Sequence, residues 1–218
     1  MFKAVIFDYN GVLINDLPVH EEAYLMAAKE VSLPITREII RRHISTTAQQ
    51  KRELYFGDIS DQTWKRIFHL KTDYYFKLIT KRDLVFPEVE DVLLSLKKRY
   101  LLGLISNTSR LHFEKVFPDH LACLFQTTIF GDEVVHPKPS LEPLIKIMGR
   151  LNVSTDQCCC VGDSISDVEM AKRAGIKIFA VTTGDNSKED LVQAGPDWIL
   201  DRLSELKDRL MPPDPASG

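Results

Sequence analysis

The run Lys3-Ala4-Val5-Ile6-Phe7 constrains this chain more than any other feature. It is apolar and partly β-branched, which predicts a buried strand over residues 2–8. The strand delivers Asp8 onto a turn, Tyr9-Asn10-Gly11. Open α/β sheets place their ligands at that edge, outside the carboxyl ends of the strands. A carboxylate there is a nucleophile, a metal ligand or an uncompensated cost.

Two textures follow. Residues 16–85 hold no convincing strand and read as helices rich in Arg, Lys and aromatics. Asp16 and Pro18 suit the start of a helix running through His20 to Lys29. Thr36 caps a helix over Arg37 to His43 with an acid in its first turn. Thr47–Tyr55 and Asp61–Leu78 are two further helical stretches. From Phe86-Pro87 strands and helices alternate. Strands are expected at Leu101–Ser106, Thr127–Phe130, Cys158–Asp163, Lys177–Val181 and Trp198–Leu200. Helices are expected at Val89–Lys98, around Phe113 and Phe117 up to Pro118, at Leu141–Leu151 and at Val168–Ala174, the last stopped by Gly175. Alternation of this kind predicts an α/β fold, a parallel sheet with helices on both faces. The expected organisation is a core from 1–15 and 86–210, a helical insertion over 16–85, and a frayed tail over 211–218.

Composition narrows the function classes. The 218 residues are 44% hydrophobic and 27% charged, with a formal net charge of −3. That balance gives no electrostatic case for nucleic acid or an anionic membrane as partner. No apolar run approaches the roughly 20 residues needed to span a bilayer, and no basic-plus-apolar leader pattern opens the chain. Cys158, Cys159 and Cys160 are consecutive, so neighbours point to opposite faces of a strand, and they read as small buried hydrophobes. A cytosolic enzyme, monomer or homodimer, is the expectation.

Four strand ends carry the chemistry. Asp8 ends the first strand and Ser106 the second, in Ile105-Ser106-Asn107-Thr108. Lys138 lies in His136-Pro137-Lys138-Pro139, and Asp163 and Asp167 in Gly162-Asp163-Ser164-Ile165-Ser166-Asp167. A parallel sheet brings such ends to one edge. Phosphoryl transfer spreads charge over three equatorial oxygens and needs a nucleophile, a cation clamp and donors. Asp8 can attack phosphorus. Three carboxylates with backbone oxygens suit Mg²⁺. Ser106 and the Asn107 amide can hold phosphate oxygens, and Lys138 supplies a point charge. Singly these signals are weak, since Gly-Asp-x-x-x-Asp also reads as a helix cap and Pro-Lys-Pro as a turn. Their order and spacing together carry the argument.

In that order they resemble the four motifs of the haloacid dehalogenase (HAD) superfamily, from residue 2 to about 200. The 16–85 block resembles the small helical cap of phosphoglycolate phosphatase and β-phosphoglucomutase. The resemblance implies a Rossmann-like core and a phosphoric monoester hydrolase. It implies Asp8 as nucleophile and Mg²⁺ ligand, Asp163 as ligand, and Asp167 as ligand or supporting acid. Ser106 and Lys138 would bind the transferring group. One position departs: the family's second Asp, its general acid and base, is Asn10.

General acid–base help is worth about 10²–10⁴ in rate, and Asn cannot supply it. Its backbone carbonyl can still ligate Mg²⁺. Four readings follow. The chain is a phosphatase that tolerates Asn10, acting slowly or on good leaving groups such as acyl or pyrophosphoryl phosphates. It works like a phosphomutase or like phosphonoacetaldehyde hydrolase, with Lys51 as imine-forming lysine. Asn10 is a substitution that traps a complex. Or the chain is a disabled phosphate-binding module. Specificity residues are sought at His20, which faces the active site or is an exposed helix histidine, at Arg42 in the basic segment before Ser45-Thr46-Thr47, and at Arg110.

Overall fold

A computed structural model of the chain describes residues 2–44, 48–80 and 82–211. The Ser45-Thr46-Thr47 segment and the tail from residue 212 lie outside the described residues. The chain divides into two compact units, Met1–Ile14 with Val85–Gly218, and Asn15–Leu84.

In the first unit six parallel strands form one sheet in the order β3-β2-β1-β4-β5-β6. They are β1 (Ala4–Phe7), β2 (Leu101–Ser106), β3 (Thr127–Phe130), β4 (Cys158–Gly162), β5 (Lys177–Val181) and β6 (Trp198–Leu200). The chain moves outward from β1 to β3, then returns to the other side of β1 and moves out again. The order therefore reverses between β1 and β4, and there the carboxyl ends open a crevice. Asp8 leaves β1 and Asp163 leaves β4 on either side of it.

Alternate strand residues face opposite layers. Ala4, Ile6, Ile105, Ile129, Cys158, Cys160, Ile178 and Ala180 pack with Leu144, Ile147, Val168 and Leu191. On the other side Phe7 meets Phe125 edge-on, and Phe179 stacks on Trp198 at 4.4 Å. The three consecutive cysteines are free and buried, and burial pushes the Cys158 thiol up to about 11 and the other two higher still. They are packing residues, as their sequence context implied.

The second unit is helical: α1 (Leu17–Glu30), α2 (Arg37–His43), α3 (Ala48–Phe56) and α4 (Asp61–Ile79). Thr36 caps α2 by accepting the Ile39 N–H at 3.3 Å, and Ser60 caps α4 by accepting the Thr63 N–H at 3.1 Å. Glu21 is buried and takes both Arg37 and Arg41. Among the described residues no helix is long and apolar enough to cross a membrane.

The first unit's helices are α5 (Val89–Lys97), α6 (Arg110–Val116), α7 (Asp119–Ala122), α8 (Glu142–Leu151), α9 (Ile165–Ala174), α10 (Lys188–Ala194) and α11 (Glu205–Leu210). Sequence reasoning missed α7, α10 and α11, because four to seven residues hold too little periodicity to register. It also extended α6 to Phe117. That residue is extended instead (φ −88°, ψ 132°), since the following proline disfavours the helical region. The helix expected from Val168 starts three residues earlier, where Ser164 caps it.

Candidate active site

The turn after β1 is built to bring backbone close to Asp163. Gly11 adopts φ +75°, and a Cβ there would lie 2.4 Å from Asp163 Oδ2. A Cβ on Gly184 would lie 1.7 Å from the same oxygen. Only glycine allows either approach. The Asp185 N–H donates to Asp163 Oδ2 at 3.0 Å, which fixes the carboxylate between the two loops.

Asp167 is held by the start of α9. Its Oδ2 accepts from the Ser164 backbone at 3.2 Å and from the Ser164 hydroxyl at 2.5 Å, while Ser164 Oγ accepts the Asp167 N–H in return. This reciprocal cap engages one carboxylate oxygen. The other, Oδ1, accepts from Lys138 Nζ at 2.7 Å. The same ammonium lies 2.6 Å from Asp8 Oδ1. One oxygen from each of Asp8, Asp163 and Asp167 lies within 4.8 Å of the others.

Three carboxylates thus crowd together, two of them on one buried ammonium, and pKa values respond. Burial, then the Asp167 charge, push Asp8 up to about 7 against the pull of Lys138. Burial and the Asp8 charge hold Asp163 well above the ordinary carboxylate range. Lys138 moves upward, because its two carboxylate partners outweigh its own desolvation. The cluster carries more negative charge than the protein compensates, and its donors are all oxygen. That is the environment a hard divalent cation fits.

The Ser106 and Thr108 hydroxyls converge on Asn10. Thr108 Oγ1 donates to Asn10 Oδ1 at 2.8 Å and Ser106 Oγ does so at 3.3 Å. Ser106 Oγ meanwhile accepts the Thr108 N–H at 3.1 Å. Thr108 was not singled out from sequence; its position two residues past a strand-ending serine was the available signal.

The Asn107 side chain, whose amide was expected to hold phosphate, meets the Lys138 backbone on both sides, donating to the carbonyl at 3.1 Å and accepting the N–H at 2.9 Å. Asn107 therefore fixes the loop that aims Lys138. Arg110 is likewise engaged by its neighbours. Its Nε meets Glu133 at 2.6 Å, a guanidinium nitrogen donates to Thr128 at 3.2 Å, and the group lies over the Phe130 ring.

In the second unit Arg42 is exposed and pairs with Glu38 one turn away. His20 is not the exposed helix histidine that one reading allowed. Its side chain is 18% exposed, meets Asp16 at 3.0 Å and stacks on Tyr75, whose hydroxyl donates to Asp16. Burial, then the positive charge of Lys71, lower His20 to about 4. Lys71 itself lies over the Tyr24 and Tyr75 rings, and burial together with Lys51 lowers it to about 7. Lys71 is thus a lysine brought near neutrality, and sequence reasoning did not single it out.

A protein named phosphorylated carbohydrates phosphatase, from Thermotoga maritima, is 31% identical over 94% of this chain and 99% of its own length. A phosphoglycolate phosphatase from Salmonella paratyphi A is 29% identical over 94% of this chain and 90% of its own. The solved structure of a predicted phosphoglycolate phosphatase from Haemophilus somnus superposes with a TM-score of 0.86. It covers 95% of this chain and 97% of its own at 24% identity, and so speaks for the fold. The model of haloacid dehalogenase-like hydrolases matches residues 2–175, the span that contains every strand-end carboxylate described above. The chain belongs to the haloacid dehalogenase-like hydrolase family.

Proposed function

We propose that this protein is a Mg²⁺-dependent phosphatase that removes the phosphoryl group of a small phosphorylated metabolite through an aspartyl-phosphate at Asp8. The observation that carries this reading is the meeting of Asp8, Asp163 and Asp167, with Lys138 between Asp8 and Asp167, at the point where the strand order reverses. The oxygen-only donor set and its uncompensated negative charge fit Mg²⁺, with Asp8, Asp163, Asp167 and the Asn10 carbonyl as the residues that would hold it. Bound there, the ion would offset charge on the transferring phosphoryl oxygens.

This chain's own groups account for the remaining steps. Asp8 provides the attacking oxygen, and the Lys138 ammonium, 2.6 Å away, orients it and meets the phosphoryl charge. Ser106 offers a hydroxyl to a phosphoryl oxygen. The inserted unit, by the same reading, is the cap that supplies specificity.

The relatives' names make phosphoglycolate and sugar phosphates the first substrates to assay, with acetyl phosphate beside them. Phosphate release is expected with Mg²⁺ and not with a chelator. Asp8→Asn should lower it by roughly 10⁴-fold or more, as loss of a covalent nucleophile does. Release that persists in the chelator or in Asp8→Asn would overturn the reading.

A further inference from the structure

We infer that Asn10 restricts this enzyme to phosphoryl donors whose leaving oxygen departs as a stable anion, such as acyl phosphates and the phosphate esters of acidic phenols or enols. The inference rests on the reading of Asp8 as nucleophile and names the substrate class of that site.

Asn10 is held in a defined orientation. Ser106 Oγ accepts the Thr108 N–H, so its own proton is directed to Asn10 Oδ1, and Thr108 Oγ1 donates to the same oxygen. The side-chain oxygen therefore faces two hydroxyls, and the amide NH₂ forms the opposite edge of the group. An amide can donate a hydrogen bond there but cannot give up a proton at ordinary pH. The charged neighbours do not replace it, since Lys138 is shared between Asp8 and Asp167. The site positions a leaving group without protonating it.

The two steps can be balanced on that basis. In the first, an Asp8 carboxylate oxygen bonds to phosphorus and the bond from phosphorus to the leaving oxygen breaks. The electron pair leaves on that oxygen. A carboxylate or acidic phenolate or enolate bears it stably, whereas an alkoxide needs a proton that Asn10 cannot provide. In the second step water attacks the aspartyl-phosphate, the bond from phosphorus to the Asp8 oxygen breaks, and Asp8 regains its carboxylate. The water's hydrogens end on phosphate and in solvent. This intermediate is itself an acyl phosphate, so its leaving oxygen requires no acid. Because the transition state of phosphoryl transfer is loose, with little charge on the attacking water, the missing base costs less than the missing acid. The class of substrate proposed is the one whose first step resembles the second.

A carboxylate at position 10 could accept from Ser106 and Thr108 as the amide oxygen does, so Asn10→Asp preserves the hydrogen bonds and the shape. The test measures phosphate release with Mg²⁺ from acetyl phosphate, a graded series of aryl phosphates and phosphoglycolate, for the original chain and for Asn10→Asp. Expected are turnover of acetyl phosphate by the original chain and a steep fall in rate as the phenol becomes less acidic. Asn10→Asp should flatten that dependence and raise phosphoglycolate turnover by about 10²–10⁴-fold, while changing acetyl phosphate turnover far less. Equal rates on acyl and alkyl phosphates for the original chain, or an equal gain on both in Asn10→Asp, would overturn the inference. Turnover by Asn10→Asp alone, with the original chain silent even on acetyl phosphate, would overturn it and leave the phosphatase reading of the fold intact. Silence from both proteins on every substrate would overturn both.

Discussion

Each unit buries a small charged cluster, and the two clusters are of opposite sign. At the strand ends of the first, Asp8, Asp163 and Asp167 gather, with Lys138 paired to Asp8 and Asp167. In the second, His20 and Lys71, with Lys51 acting on both, share Asp16. Asp8 and Asp163 respond by moving up, and His20 and Lys71 by moving down, each toward its neutral form. The cause is the same: desolvation disfavours the charged form, and like charges reinforce it. The contrast is in how the excess is held. The acidic cluster is pinned by a helix cap, a backbone N–H and two close glycines, and so keeps its carboxylates together for a cation. The basic cluster is packed against aromatic rings, where desolvation favours the neutral forms. Glu21, paired with Arg37 and Arg41, shows that the second unit can satisfy a buried charge where no imbalance is kept.

The largest effect that would break this comparison comes from removing the one cation of the acidic cluster. Lys138→Met is expected to destabilise the fold by about 3–5 kcal/mol, the usual consequence of leaving a buried partner uncompensated. Chemical denaturation checks it, and Mg²⁺ should restore more stability to this variant than to the original chain. No difference between the two in Mg²⁺ response would remove the charge-imbalance account.

A comparable effect of opposite sign belongs to His20, whose folded pKa of about 4 lies below its ordinary 6.5. Above pH 6.5 both states are neutral and the residue contributes no slope. Between pH 6.5 and 4 the unfolded chain takes up a proton that the folded one refuses, so stability falls as pH falls, by roughly 3 kcal/mol in total. Denaturation at pH 7 and pH 4.5 should therefore show a smaller acid loss for His20→Gln. An unchanged loss would mean that burial, Lys71 and Lys51 do not hold the imidazole neutral against the pull of Asp16.

The smallest effect sharpens the geometric half of the comparison. A Cβ at Gly184 would meet Asp163 Oδ2 at 1.7 Å and Cγ at 2.3 Å, so Gly184→Ala must displace that carboxylate. The expected cost is about 1–3 kcal/mol in stability, with a weaker rise in melting temperature on adding Mg²⁺. An undiminished Mg²⁺ response would show that Asp163 need not sit where the two glycines place it.

The sequence by itself determined the strands, the helical block and the identity of the residues at the strand ends. Strands β2, β3, β5 and β6 have the bounds that their apolar runs predict, because a buried parallel strand is legible here in three to six consecutive residues. Asp8, Ser106, Lys138 and Asp163 were legible for the same reason, as polar residues that terminate or follow such runs. Tertiary structure alone decided what those side chains touch. It turned the Asn107 amide to the Lys138 backbone and placed Arg110 against Glu133. It brought Thr108 to Asn10, buried His20 against Tyr75, and lowered Lys71 toward neutrality. Periodicity records which face of an element is buried. Contacts between side chains far apart in sequence depend on distances and desolvation that exist only once the sheet and helices have packed.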